Sequence, residues 1–164
     1  IGVGIIVDGK PHHGMIHPEG GHIFVHRRPD DPMAKGICPY HGNCLEGLAS
    51  GPAIERRWGR KGAELSDCLA VWELEAFYIG QAICTYICTL SPERIVVGGG
   101  VMHQEQMLPM IRQEVRRQMH GYIQGKGMDK LEEYIVPVSL GDNQGVMGGV
   151  KLAMDAYIEE GGTL

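Results

Sequence analysis

The sequence predicts an α/β fold. Two observations support this prediction. Residues 3–7 are mostly β-branched and lead into Asp8-Gly9, a pair typical of β-hairpin turns. Farther along, the short apolar runs 94–97 and 134–138 are each followed by a segment in which apolar residues recur at helical spacing. Strand followed by helix, twice in succession, is typical of a sheet with helices packed against it.

The first half of the chain is predicted to contain the hairpin, a polar excursion and two short helices. The excursion is expected over residues 27–37, which are polar and contain proline. The pair Gly51-Pro52 is expected to end the first helix. Pro52 then suits the first turn of the second helix. Strands are expected over 3–7, 10–16 and 22–26, and helices over 44–51 and 52–58.

The second half is predicted to be mainly helical. Leu69, Trp72 and Ile83 belong to a long apolar pattern that indicates one or two helices before Pro92, which cannot continue a helix ladder. The strand that follows Pro92 is apolar and is expected to be buried. Helices are expected over 65–90, 104–120 and about 145–157, and strands over 94–97 and 134–138.

Composition restricts the classes of function. A chain of 164 residues with 43% hydrophobic and 21% charged residues is typical of one soluble globular domain. Its net charge of −5 argues against a nucleic-acid partner that needs a basic face. Five cysteines favour a reducing compartment and metal binding over disulfides, and no apolar run suits a membrane span, so we expect a cytoplasmic protein. Because the chain begins at Ile1 inside a predicted strand, we also expect a truncated or processed chain.

One segment has the spacing of a zinc site. Cys38, His41 and Cys44 lie at two-residue gaps in one short loop, and His22 can supply a fourth ligand. Zn²⁺ favours thiolate and imidazole ligands in a tetrahedral shell, and four protein ligands leave no position for water. The pattern therefore predicts a structural zinc site. The alternative is two buried cysteines and two surface histidines without a metal.

Two carboxylates, Glu19 and Glu46, flank this loop. If His22 and Cys44 share one metal, both carboxylates are drawn near it. Two carboxylates and an imidazole are suitable partners for several sugar hydroxyls, or for general acid–base chemistry. The alternative for each glutamate is a solvated loop carboxylate.

A triple glycine between a strand and a helix marks a second candidate site. In Gly98-Gly99-Gly100-Val101 a ligand can approach the backbone without meeting a Cβ, and an anion is favoured near the following helix N-terminus. Ligands of open α/β sheets bind beyond the carboxyl ends of strands. A tight structural turn explains the same residues equally well.

Other candidates have weaker patterns. Gly2 and Gly4 could hold phosphate oxygens through backbone N–H groups, or be small residues in a packed strand. Asp142 is expected to cap the last helix, with a ligand role as the lesser alternative, and His103 shows no convergent spacing with other candidates. Core packing is expected for three cysteines, Cys68, Cys84 and Cys88.

Together these motifs resemble the ROK family of sugar kinases, and within it the bacterial fructokinases. Glu19-Gly-Gly-His22 looks like the end of the family's signature region. Cys38-Pro-Tyr-His-Gly-Asn-Cys-Leu-Glu46, continued to Ile54, looks like the fructokinase subgroup, in which His41 replaces the second cysteine of many ROK glucokinases. Residues 97–101 and 141–145 also match, so the resemblance covers essentially the whole chain.

The resemblance implies an actin-like (ribonuclease H-like) ATPase fold, of which residues 1–164 form the C-terminal lobe and 19–46 the sugar-binding and zinc-loop region. It implies ATP-dependent, Mg²⁺-assisted phosphorylation of fructose at O6 by a homodimer. Matching positions assign sugar binding to Glu19, His22 and Glu46, and structural zinc to His22, Cys38, His41 and Cys44. They assign nucleotide contacts to Gly2, Gly4, Pro52, Gly98, Gly99, Gly100 and Val101.

The resemblance also implies that the N-terminal lobe of the kinase is missing from this chain. Family members are nearly twice as long, and their N-terminal lobe carries a catalytic Asp in an Asn-Asp context. That dipeptide does not occur in this sequence. Because the Asp would act as general base, no catalytic residue is assigned here, and the chain alone is expected not to turn over. The alternatives are a sugar-sensing ROK regulatory or binding domain, a glucokinase or mannokinase of the same family, and a zinc-stabilised scaffold.

Overall fold

The computed structural model describes residues 1–163, apart from the side chain of Lys126. The chain begins with an antiparallel hairpin of β1 (Ile6–Val7) and β2 (Lys10–Pro11). The turn is the predicted Asp8-Gly9, in which both residues have positive φ, 51° and 75°. The strands are much shorter than the predicted 3–7 and 10–16. All four strand residues are exposed, so no packing against a core extends the pairing beyond the turn.

Two short helices follow the Cys/His loop, as predicted. They are α1 (Leu45–Ala49) and α2 (Gly51–Trp58), and they are separated by one residue. That residue, Ser50, accepts a hydrogen bond from the Ala53 N–H at 3.3 Å, so it caps α2. Pro52 lies in the first turn of α2, where it interrupts no helical hydrogen bond.

The centre of the fold is one uninterrupted helix, α3 (Leu69–Leu90). One face packs against α4 (Met107–Met119) in a core that contains Trp72, Ile83 and Ile111. Another face packs against α1 in a smaller cluster of buried residues: Leu45, Leu48, Ala49, Leu74, Tyr78 and Ala82. The Cys/His loop precedes α1 directly, so this second cluster fixes the loop to the body of the protein.

A two-stranded parallel sheet lies beside α4. It consists of β3 (Ile95–Val97) and β4 (Ile135–Pro137), with Val97 opposite Pro137. The prediction that the first of these strands is buried is wrong, because Val96 is 59% exposed. Only one face of the sheet is covered: Ile135 is buried in the core, and Ile95 is partly buried against it.

The remaining helices are short, except the last. The sequence pattern did not indicate α5 (Lys126–Asp129) or α6 (Leu131–Tyr134), which have only four residues each. The closing helix is α7 (Gln144–Glu159), as predicted. Within residues 1–163, no helix combines the length and apolar character needed to cross a membrane.

Two further expectations are wrong. Residues 22–26 do not form a strand: a 3₁₀ turn occupies Gly20–His22, and only Phe24 makes a β-bridge, to Cys44. Cys68 and Cys88 are exposed rather than packed in the core, and only Cys84 is partly buried against it. Cys68 precedes α3, and Cys88 lies on an outer face near the helix end, so neither is covered.

Candidate functional site

The four predicted metal ligands lie together. One ligand atom from each of His22, Cys38, His41 and Cys44 lies within 4.8 Å of all the others. The Cys44 Sγ is 3.5 Å from His22 Nδ1, and the Cys38 Sγ is 3.8 Å from His22 Nδ1 and 3.7 Å from His41 Nδ1. With Zn–S near 2.3 Å and Zn–N near 2.0–2.1 Å, a tetrahedral ion separates sulfur and nitrogen by about 3.6 Å. The donor set and its spacing therefore fit zinc.

The loop that carries three of these ligands folds around the carbonyl group of Gly42. Gly42 has a φ of +62°, and its N–H donates to the Cys38 carbonyl oxygen at 2.9 Å. A Cβ on Gly47 would lie 1.9 Å from the Gly42 carbonyl oxygen, and a Cβ on Gly36 would lie 2.2 Å from it. These approaches exclude any side chain, so the glycines allow the loop to turn its ligands inward.

Both parts of the cluster are attached to the helical core. The Leu45 N–H, at the start of α1, donates to the Ile23 carbonyl oxygen at 2.9 Å. The Tyr86 hydroxyl, on α3, donates to the Gly20 carbonyl oxygen at 2.8 Å. Cys44 itself is fully buried immediately before α1. The turn that carries His22 is thus hydrogen-bonded to the helical core.

The two thiols differ in acidity. The backbone N–H of His41 points at the Cys38 sulfur from 3.5 Å and is the main cause that lowers the pKa of Cys38 to about 7. Burial raises the pKa of Cys44 instead. Metals bind the thiolate, so binding of a metal would have to release the thiol proton of Cys44. The Cys38 thiol has already partly lost its own proton at neutral pH.

The two predicted sugar-binding carboxylates stand at opposite ends of this segment. Glu19 is exposed and directly precedes the 3₁₀ turn that carries His22. Glu46 is partly buried in the first turn of α1, and its carboxylate contacts the amino nitrogen of Ile1. If a residue precedes Ile1, this nitrogen is an uncharged backbone amide. The contact therefore shows where the Glu46 carboxylate lies, and no ion pair is inferred from it. Joint sugar binding by the two glutamates stays a prediction.

The predicted nucleotide-binding residues are accessible. Gly99 has a φ of +95°, and neither Gly99 nor Gly100 has an atom within 4 Å of its Cβ position. Gly2 and Gly4 are equally open. The other members of the predicted set are Pro52, which is exposed, Gly98, which packs against the segment after β4, and Val101, which is partly buried. Their role in nucleotide binding stays a prediction.

One side-chain pair at this sheet edge contradicts two expectations. His103 Nε2 lies 2.9 Å from Asp142 Oδ1. Asp142 therefore pairs with a histidine instead of capping α7, which has no side-chain cap. His103 does converge with another candidate, because the parallel register of β3 and β4 places their following segments side by side. Spacing along the chain cannot show this.

Sequence reasoning missed a buried group of ionisable side chains. Arg57 on α2 contacts both Asp31 in the polar excursion and Glu75 on α3, and all three side chains are inaccessible to solvent. The Tyr78 hydroxyl donates to Asp31 Oδ2 at 2.6 Å. The available indication was Glu75, an acidic residue at a core-facing position of a largely apolar helix.

Comparisons with known proteins identify the family of this chain. The model of the ROK family matches residues 1–156. The chain is 51% identical to a Bacillus subtilis (strain 168) protein named provisionally as a fructokinase, over 98% of this chain and 54% of that protein. It is 45% identical to a fructokinase of Zymomonas mobilis, over 94% of this chain and 51% of the relative. The chain thus spans about half the length of the curated relatives it matches.

Solved structures show the same fold. A ROK hexokinase from Thermus thermophilus is similar with a TM-score of 0.69 and 22% identity, over 88% of this chain and 50% of that one. A Streptomyces griseus ROK glucokinase, solved with glucose and AMPPNP, gives a TM-score of 0.67 and 24% identity, over 91% and 55%. A ROK transcriptional regulator, a homologue of the E. coli MLC protein, gives 0.59 and 21%, over 82% and 38%. The predicted actin-like α/β fold is confirmed.

Proposed function

Because the chain belongs to the ROK family, as its sequence predicts, we propose that it forms the C-terminal lobe of a kinase that transfers phosphate from ATP to fructose, giving fructose 6-phosphate. The observation that carries the proposal is the Cys38, His41 and Cys44 loop joined to His22, in a chain whose curated relatives bear the name fructokinase.

Zinc would be held by the four clustered side chains. Their sulfur–nitrogen distances of 3.5 to 3.8 Å support a tetrahedral shell without an open position. The ion would cross-link the turn at Gly20–His22 to the loop before α1. Its role would be structural, and it would take no part in the transfer of phosphate.

The same ion would prepare His22 for the sugar. The Nδ1 of His22 faces the sulfurs of Cys38 and Cys44. A metal on Nδ1 fixes the tautomer that carries its proton on Nε2, so this nitrogen can donate to a sugar hydroxyl. Glu19 and Glu46 would accept hydrogen bonds from other hydroxyls.

The nucleotide would lie against glycine backbone. Gly98, Gly99, Gly100 and Val101 follow β3 at the carboxyl edge of the parallel sheet, where ligands of such sheets bind. Gly2, Gly4 and Pro52 complete the proposed set. Mg²⁺ would arrive with ATP and neutralise phosphate charge. The general base would come from an N-terminal lobe, because no residue in this chain is assigned that role.

The closing helix supports a partner for this lobe. Along α7, large apolar residues such as Val146, Leu152 and Tyr157 are exposed. Apolar surface of this kind is typical of an interaction face. We propose the N-terminal lobe and a second copy of the protein as partners, and a cytoplasmic location.

One observation favours a second candidate function. The ROK transcriptional regulator shares this fold with a TM-score of 0.59, so the same lobe also serves proteins of another class. A sugar-sensing ROK domain would bind sugar without turnover. A glucokinase or mannokinase of the family would turn over with a different preference among hexoses.

The test combines metal analysis with turnover. We expect one zinc per chain, no turnover by residues 1–164 alone, and ATP-dependent fructose phosphorylation by the full-length polypeptide that contains them. Glu46→Gln should raise the KM for fructose at unchanged zinc content, whereas the exposed Glu55→Gln on α2 should not. Turnover by the chain alone would contradict the proposal that the general base comes from an N-terminal lobe. Sugar binding without turnover by the full-length polypeptide would favour the regulator, and no zinc would overturn the four-ligand site.

A further inference from the structure

Two segments meet at the carboxyl edge of the parallel sheet. The register that places Val97 opposite Pro137 sends the chain after β3 and the chain after β4 in the same direction. A Cβ on Gly98 would lie 2.4 Å from Cγ1 of Val138. The beginning of the triple glycine is therefore pressed against the segment that follows β4.

The second contact between these segments is the side-chain pair already noted. His103 Nε2 lies 2.9 Å from Asp142 Oδ1. Each partner sits in a short 3₁₀ turn, Gly100–His103 and Gly141–Asn143, so the backbone beside it is itself hydrogen-bonded. The two contacts stand on either side of Gly99 and Gly100, which are open to solvent.

We propose that His103 and Asp142 are positioning residues for the nucleotide: their hydrogen bond joins the two segments and thereby fixes the glycine backbone between the two contacts. The inference rests on the proposed function, since it assigns the occupant of that backbone as a nucleoside triphosphate. Neither residue needs to touch the nucleotide. The pair acts through the glycines.

Exposure separates this role from a general structural one. The side chains of His103 and Asp142 are 64% and 87% exposed, so in the free protein water competes with their hydrogen bond. Exposed pairs of this kind contribute little to stability. A nucleotide lying across both segments would exclude water and strengthen the bond. Loss of the pair should therefore change ligand affinity and leave the melting temperature unchanged.

The charge of Asp142 gives a second expectation. Without its imidazole partner, this carboxylate would face an anionic ligand with no donor to satisfy it, which adds repulsion to the loss of position. The double variant His103→Ala/Asp142→Ala should consequently bind nucleotide no more weakly than His103→Ala alone. Two independent surface residues would instead give additive losses.

The experiment is calorimetric titration of the full-length polypeptide that contains this chain with Mg²⁺-AMPPNP and, separately, with fructose. We expect His103→Ala to raise the Kd for AMPPNP about five- to tenfold, with fructose affinity and melting temperature unchanged. Asp142→Asn, which keeps an acceptor at Oδ1, should stay within about twofold of the unsubstituted protein. The matched control is Lys130→Ala, which breaks an exposed pair with Glu133 of 3.1 Å.

The outcomes are distinguishable. An unchanged AMPPNP Kd in His103→Ala, an additive double variant, or a fall in melting temperature that accounts for the loss of affinity would each overturn the positioning role while leaving the proposed function intact. Failure of the unsubstituted polypeptide to bind AMPPNP would instead overturn the proposed function, and this inference with it.

Discussion

Arg57 and Asp31 form a bidentate ion pair from which solvent is wholly excluded. The Nε and Nη2 atoms of Arg57 lie 2.9 and 3.1 Å from the two carboxylate oxygens of Asp31. The same carboxylate accepts hydrogen bonds from the Tyr78 hydroxyl at 2.6 Å and the Met33 N–H at 2.8 Å. The pair thus attaches the polar excursion to α2 and α3, beside the helix that supports the metal loop.

Removal of Asp31 should therefore be costly. Asp31→Ala leaves a buried guanidinium without its main counter-charge, and breaking a buried pair in this way costs about 3–5 kcal/mol. Urea denaturation should show a loss of stability of that size. Asp30→Ala is the matched control, because its ion pair with Arg28 is on the surface and its loss should not change the midpoint measurably. Equal midpoints for the two variants would contradict the structural importance of the buried pair.

Glu75 should make stability depend on pH. Burial, with a contribution from the nearby Asp31 charge, outweighs the opposing effect of Arg57 and raises the pKa of Glu75 from an ordinary 4.5 to about 8. Between those values the folded state holds a proton that the unfolded chain has released. The contribution of Glu75 to the free energy of unfolding should therefore fall as pH rises, by up to about 1.4 kcal/mol per pH unit.

Glu75→Gln isolates this contribution. The amide is neutral at every pH, so the variant should match the unsubstituted protein near pH 5 and become progressively the more stable of the two towards pH 8. Denaturation curves at several pH values measure the difference. Glu73→Gln, an exposed position on the same helix, should leave the pH profile unchanged. Parallel profiles for Glu75→Gln and the unsubstituted protein would mean that Glu75 is ionised in the folded state.

Gly47 should be irreplaceable in the metal loop. A Cβ there would lie 1.9 Å from the Gly42 carbonyl oxygen and 3.0 Å from Cβ of Cys38, so Gly47→Ala must displace a ligand-bearing backbone. We expect destabilisation of about 2 kcal/mol or more and weaker zinc retention. Gly51→Ala is the control, since its Cβ would meet open space at the start of α2. It should be neutral or slightly stabilising, and thermal melts with metal analysis compare the two.

Loss of one thiolate should release the metal. Cys44→Ser removes a fully buried ligand, and we expect zinc content to fall from one to near zero per chain, with a lower melting temperature. A chelator should lower the melting temperature of the unsubstituted protein towards that of the variant. Cys88→Ser removes an exposed thiol outside the cluster and should retain full zinc content. Full zinc content in Cys44→Ser would exclude Cys44 from the shell.

The accuracy of the sequence predictions follows the range of the interactions involved. The Asp8-Gly9 turn and helices α1, α2 and α3 follow from local patterns, because turn propensity and apolar periodicity act over a few residues. The prediction of a strand over 22–26 was wrong because it, too, rested on a local pattern alone. Its alternating residues suit a strand, but with no neighbouring strand to extend the pairing only Phe24 makes a bridge.

What the sequence by itself determined is the family, the α/β order and the four residues of the candidate metal site, because each is expressed in residues a few positions apart or in a motif of fixed spacing. The tertiary structure alone decided which distant polar side chains meet. Arg57 contacts Asp31, which is 26 positions away in the sequence, and His103 contacts Asp142, which is 39 positions away. Helix packing and strand register bring these partners together, and both depend on interactions along the whole chain.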